Sequence, residues 1–237
     1  MAYPPTLADL QNDVLSRLSE TDDSPAGDYL PGDNSGAIIT TKDTIAQYVN
    51  EASAELARTC YPIADVGSYA LPMGAQTAPY TVFVCASGHT LWSARRVVWN
   101  GVELAYYARS AFEFWYPNAE TDPNGTPILW YRQGHDGIGL YPRPATTQTT
   151  TVYGLAIPKQ LVNGTDVATW FQPDILKLPV MQAASRLAER NNQNPALIAR
   201  AAEWAQEFEQ GRDDLLTRLW QTDPSLARFH YAPPAGG

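Results

Sequence analysis

Apolar residues recur at helical spacing at both ends of the chain and at strand spacing in between. Leu7, Leu10, Val14, Leu15 and Leu18 share one face of a helix over 6–19. Thr6 and Asp9 supply the threonine and the acid, three residues apart, that cap such a helix at its start. A second stripe, Ile45, Tyr48, Val49, Ala52, Leu56 and Cys60, predicts a helix over 43–60. It stops at Tyr61-Pro62, because proline disfavours helical backbone in the residue before it. Between these helices, residues 20–37 lose periodicity to Asp, Ser, Pro and Gly and read as a loop.

The stretch 64–171 is punctuated like an antiparallel sheet. Val97-Val98-Trp99 and Val102-Glu103-Leu104 flank Asn100-Gly101, the pair suited to the two positive-φ positions of a type I′ hairpin turn. Residues 109–116 predict a short helix or turn with Phe112, Phe114, Trp115 and Tyr116 as aromatic anchors. Ile128 to Tyr131 and Ile138 to Tyr141 form a second hairpin, which ends at Tyr141-Pro142-Arg143-Pro144 because proline cannot donate to a ladder. A further strand covers Thr149 to Ile157.

Helical spacing returns over 173–190, with Leu176, Val180, Met181, Ala184 and Leu187 inward, Pro173 in the first turn and Pro179 placed to kink the helix. Asn194-Pro195 reads as a cap and first residue of a fourth helix. Its expected inner face is Ile198, Ala201, Ala202, Ala205, Phe208, Leu215, Leu216 and Leu219. The pattern dissolves from about Gln221. The expected fold is α+β: a helical bundle from N- and C-terminal helices (1–62 and 172–220), an inserted antiparallel β module (63–171) and an extended C-terminal tail (221–237).

Charge sharpens this picture. The formal net charge is −9. Residues 1–65 carry 11 acids against three bases, a net of −8, and the remaining 172 residues net −1. Affinity for nucleic acid comes largely from cations that displace counterions, so tight DNA binding is not expected, although passive contact is allowed. No apolar run approaches the roughly 18 residues of a membrane helix, and Met1 to Pro5 lacks the basic start and apolar core of a signal peptide. Cys60 and Cys85 read as buried free thiols of a reducing compartment.

No catalytic, cofactor or metal site emerges. The four aspartates of the 20–37 loop lack EF-hand spacing and its closing Glu. Gly134, Gly137 and Gly139 precede a strand where a phosphate loop needs a helix. His89, His135 and His230 have no paired metal spacing, and His135-Asp136 has no nucleophile context. Glu103 with Glu113, and Asp213 with Asp214, read as solvated acids, while Asn124-Gly125 and Asn163-Gly164 read as turns. The aromatic residues of the strands read mainly as core and subunit interface. A competing reading makes the β section a carbohydrate-binding or enzymatic module, with Trp92, Trp99, Trp115 and Trp130 as a platform. Arg228, Phe229, His230 and Tyr231 lie where no periodicity could bury them, which leaves a frayed end or a docking peptide.

The layout resembles the head–tail adaptor (connector, or head-completion) proteins of tailed bacteriophages over 1–220. The resemblance rests on the acidic first helix, Ala54-Glu55-Leu56-Ala57-Arg58, and the hairpin Trp130-Tyr131-Arg132 with Ile138 to Pro142. It rests further on the strand into Pro158, the entry Phe171-Gln172-Pro173-Asp174, and the alanine-rich pair at Met181–Ala188 and Ala201–Phe208. The resemblance implies a non-enzymatic virion protein at the head–tail junction, made in the host cytoplasm. It also implies a homo-oligomeric ring, usually of twelve copies, that sits below the portal protein, extends the DNA channel and offers a docking surface to tail proteins (hub, nozzle or tail terminator). In similar proteins the C-terminal extension reaches into the portal. Here that extension is Gln221–Gly237, with Arg228, Phe229, His230 and Tyr231 as portal-binding residues.

Overall fold

A computed structural model describes residues 4–19, 42–172, 174–190 and 195–222. Its elements are α1 (Leu7–Ser19), α2 (Lys42–Thr59), β1 (Ile63–Leu71), β2 (Thr77–Pro79), β3 (Val84–Cys85), β4 (Thr90–Trp99), β5 (Val102–Glu103) and β6 (Ala105–Tyr107). They continue through α3 (Arg109–Trp115), β7 (Leu129–Gln133), β8 (Gly137–Tyr141), β9 (Gln148–Ile157), α4 (Lys177–Arg190) and α5 (Pro195–Thr222). The chain divides into two compact units, one made of residues 1–62 and 160–237, the other of residues 63–159. The class is α+β, as the sequence predicts.

In the first unit α4 packs against α1, α2 and α5, and α1 also packs on α2. Three neighbours explain why α4 buries more than the single face read from its sequence: Ala183, Ser185 and Ala188 are buried along with Val180, Met181, Ala184 and Leu187. These small side chains allow close backbone approach, and the Ser185 hydroxyl donates to the Ala201 carbonyl of α5 at 2.9 Å. The helix begins at Lys177, so Pro179 occupies the first turn and forces no kink. Amides there have no intrahelical acceptor, and the missing N–H of proline costs nothing. Pro173 and Asn194 lie outside the described residues.

The inner face of α5 keeps four of the expected positions, Ala201, Phe208, Leu215 and Leu219, and replaces Ile198 and Ala202, which are exposed, with Leu197 and Trp204. Leu197, Ala201, Trp204, Phe208, Leu215 and Leu219 are buried, whereas Ile198 is exposed. Their steps of three, four and seven keep one seam against a neighbouring helix. The α1 cap forms as read: the Asp9 N–H donates to Thr6 Oγ1 at 3.2 Å, and the Thr6 N–H donates to Asp9 Oδ2 at 2.8 Å. The bond from the Thr6 N–H, with a second from the Thr6 hydroxyl to the same Asp9 Oδ2 at 2.8 Å, holds the Asp9 carboxyl below its ordinary pKa.

Residues 160–171, assigned to the β section from sequence, belong instead with the helices. The Leu7 and Ala8 amides, which no helical carbonyl can reach, donate to Asp166 O and Gly164 O at 2.8 and 3.0 Å. Asn50 clamps Leu161 in both directions, its Nδ2 donating to Leu161 O and its Oδ1 accepting from Leu161 N, each at 2.9 Å. Phe171 meets Tyr61 edge-on, with ring centroids 5.3 Å apart.

The second unit holds a five-stranded sheet, β3-β1-β9-β4-β5, and a four-stranded sheet, β2-β8-β7-β6. They share a core that includes Leu91, Val97, Trp99 and Val152 from the first with Trp130, Ile138 and Leu140 from the second. The β4–β5 hairpin turns at Asn100 and Gly101 with φ of 45° and 80°, the two positive values that the Asn-Gly pair predicts. One pairing departs from the antiparallel expectation: β6 runs parallel to β7. Its cause is a change of sheets. Leu104 N–H donates to Val97 O of the first sheet, and Ala105 N–H donates to Ile128 O beside the second. Residues 108–128, α3 among them, then supply the long crossover that a parallel pair requires.

The β4 strand is bulged near Ala94, and side chains satisfy the backbone groups freed there. Ala94 N–H donates to Tyr80 Oη at 3.0 Å, and the Arg132 guanidinium donates to Ala94 O at 3.1 Å. The four-stranded sheet is covered on both faces, which explains the unbroken apolar run Leu129-Trp130-Tyr131. Leu129 and Tyr131 pack under α3 with Phe112, while Trp130 enters the shared core. Tyr131 lies flat over Gly139, its cross-strand partner, and stacks on Phe112 at 4.1 Å.

A methyl group at Gly139 would occupy the space of the Tyr131 ring. Gly139→Ala is therefore expected to cost about 1–3 kcal/mol by overpacking, read as a lower midpoint in urea denaturation. Thr150 is the opposite case: it is fully buried, and its hydroxyl has no hydrogen-bond partner among the described residues. Thr150→Val removes an unmet polar group at nearly constant shape and should raise stability by about 1 kcal/mol in the same assay.

Candidate functional site

Among the described residues, those that could carry chemistry are mostly held apart. Ser87, His89 and Asp65 do meet, at the turn joining β3 to β4. Ser87 Oγ donates to Asp65 Oδ2, and His89 Nδ1 lies 3.0 Å from the same oxygen. The carboxylate stands between the other two, whereas activating a serine hydroxyl needs the imidazole in the middle. The Cys85 thiol beside them is pushed up to about 11, first by burial and then by the Asp65 charge, so it stays protonated at neutral pH. Burial likewise raises Cys60 to about 11. Both are free cysteines.

The remaining sequence candidates disperse. His135 and Asp136 are exposed in the β7–β8 turn, and the Asp136 carbonyl accepts from Tyr80 N–H at 2.7 Å. Gly134 sits in the same turn, with Gly137 and Gly139 inside β8. Glu103 faces Arg96 at 3.6 Å and Glu113 faces Arg109 at 2.7 Å, so the two acids do not share a site. Asp213 and Asp214 are exposed on α5. Among the described residues, no group of three or more His, Cys, Asp or Glu could hold a metal ion. No helix among them is long and apolar enough to cross a membrane. The expected portal-binding residues Arg228, Phe229, His230 and Tyr231, and the 20–37 loop, lie outside the described residues.

The four-tryptophan platform does not form. Trp99 and Trp130 are buried in the shared core and Trp92 is half-buried, which leaves Trp115 as the exposed member. Trp115 belongs instead to α3, whose aromatic residues split between two faces. Phe112 points inward and stacks on Tyr131 and Tyr116. Phe114 and Trp115 point outward, 75% and 67% exposed, with rings edge to face at 5.2 Å. The signal was present in the sequence for Phe114 and not for Trp115. Helical spacing puts positions 112 and 116 on one face and turns 114 away, whereas 115, three residues from 112, is not separated from that face by spacing alone. A cavity of about 290 Å³ opens beside α3, lined by Gln76, Arg109, Phe112, Tyr116, Tyr131 and Gln133. Arg109 is paired with Glu113 there, and the Tyr131 hydroxyl is bonded to Gln76. Such walls fit packing better than catalysis.

Near this cavity the Tyr141 hydroxyl donates to Asp122 Oδ2 at 2.6 Å, and Arg143 donates to the Asp122 carbonyl at 2.6 Å. The bond to Asp122, reinforced by burial, pushes Tyr141 up to about 12 from its ordinary 10. A raised pKa means the folded state holds its proton more tightly. The resulting stabilisation is complete below about pH 10 and is lost as pH rises from there through about 12. Tyr141→Phe should thus be less stable than the wild type at pH 8 by about 1 kcal/mol. The gap should close between pH 10 and 12 in urea denaturation, with both thiols contributing equally to the two proteins.

Comparison with known proteins gives the family. No curated protein matches the chain. The family model described as SU10 adaptor protein matches residues 5–230, nearly the whole sequence. In keeping with the phage head–tail adaptors that its layout resembles, the chain belongs to the SU10 adaptor protein family.

Proposed function

We propose that the protein is a non-enzymatic head–tail adaptor whose copies form a ring, of twelve by the resemblance, below the portal of the capsid. The match to the adaptor family over residues 5–230 carries this reading. In it, the helices of 1–62 and 172–220 form one bundle, the ring extends the DNA channel, and its far side receives the tail proteins. The formal charge of −9 suits a protein past which DNA must slide, since like charge prevents adhesion. Gln221–Gly237 is assigned to the portal, with Arg228, Phe229, His230 and Tyr231 as the contacts and the two aromatic side chains as anchors.

Co-sedimentation with portal rings tests this assignment. Among the described residues the last buried one of α5 is Leu219, so removal of residues 223–237 should leave the thermal midpoint nearly unchanged. The same truncation should weaken portal binding. Phe229→Ala with Tyr231→Ala should reproduce most of the loss, about thirtyfold or more if either aromatic is a dominant anchor. Equal binding by both forms would move the portal contact to the folded body. Failure of the full-length protein to bind its cognate portal would overturn the adaptor reading.

A further inference from the structure

We infer that neighbouring copies of this chain contact one another through the β unit, with Phe114 and Trp115 of α3 as the anchoring pair. This rests on the reading that copies assemble into a ring, and it names the surface they use. Two independent observations coincide on that unit. The first is charge. Residues 63–159 hold six acidic and six basic side chains, so the whole formal charge of −9 falls on residues 1–62 and 160–237. Contact between two copies through those segments works against like-charge repulsion, whereas the β unit is neutral. The second is exposed apolar surface. Among the described residues, eight of the eleven exposed large hydrophobic side chains lie in 63–159.

Within that surface, Phe114 and Trp115 stand out by size and rigidity. They are adjacent, they are the most exposed aromatic side chains among the described residues, and they touch each other. The helix beneath them is pinned by Phe112 stacked on Tyr131 and Tyr116. A rigid aromatic pair loses little conformational freedom when it is covered, which is the property of an interface anchor. Arg109 and Glu113 on the same helix neutralise each other at 2.7 Å and add no net charge beside the pair.

The test uses the full chain in sedimentation velocity over about a hundredfold range of concentration, at low and high salt. The wild type should self-associate, and more strongly at high salt, because screening removes the repulsion of the acidic segments while an apolar contact persists. Phe114→Ser with Trp115→Ser should weaken association about thirtyfold or more. It should leave the thermal midpoint unchanged, since both side chains lie outside the core. Val162→Ser, at an exposed site of the acidic unit, should change nothing. Hydroxyl-radical labelling of the wild type supplies a readout free of mutation: Phe114 and Trp115 should be protected in the assembled fraction and labelled in the monomer. Equal labelling in both fractions, normal assembly by the double variant, or a wild type that stays monomeric throughout would each overturn the inference. Normal assembly through other residues with portal binding retained would leave the adaptor reading standing, whereas loss of cognate portal binding by the wild type would sink that reading itself.

Discussion

The helical unit depends on the enclosure of α4. Its 14 residues are contacted by α1 and α2 from one end of the sequence and by α5 from the other, and four small buried side chains, Ala183, Ala184, Ser185 and Ala188, make this fit. A larger residue at Ala183, Ala184 or Ala188 would have nowhere to go, because interiors are close-packed and a single extra methylene is felt. The remaining features of the unit follow from this arrangement. The chain must leave after Pro62 and come back at Gln160, and both junctions are tied to the unit, one by Tyr61 against Phe171 and the other by Asn50 around Leu161.

The β unit solves a different problem, the coverage of two sheets with few residues. Sharing the Trp130 and Trp99 core covers one face of each, and α3 covers the second face of the smaller sheet. Where β4 bends away from regular pairing, Tyr80 and Arg132 take over the backbone groups that the ladder releases. Irregularity there is stabilised by specific polar contacts, and unmet hydrogen bonds are avoided. The cost of covering so much with so little is an aromatic helix whose outer face is left to solvent.

Features set by neighbouring residues were legible in the sequence. The Asn100-Gly101 turn and the Thr6–Asp9 cap form as read because a few backbone angles and one side chain decide them. Features set by distant partners were not. Half of the α5 face, Ala201, Phe208, Leu215 and Leu219, was legible, but alanine carries little directional signal, and the neighbouring helix selected Leu197 and Trp204 in place of Ile198 and Ala202. The 160–171 segment has strand-like texture, yet its carbonyls are drawn to the amides at the start of α1. The parallel β6–β7 pair arises from a change of sheets at Leu104, which no local pattern encodes. For the candidate site, the chemistry of a residue pair depends on which group stands in the middle. The Asp65 carboxylate holding both Ser87 and His89 could be known only from their placement.

The bonds from Leu7 and Ala8 to Asp166 and Gly164 also bear on how the chain is made. On a ribosome the first two helices emerge long before α4 exists, and the intervening 63–159 segment can complete its own core first. At typical elongation speeds the delay between Pro62 and Lys177 is on the order of ten seconds. During that interval the apolar stripes of α1 and α2 have neither α4 nor the 160–171 segment to cover them. Synthesis thus runs from the inside of the sequence outward: the inserted unit matures first, and the unit that encloses its ends in the chain closes last.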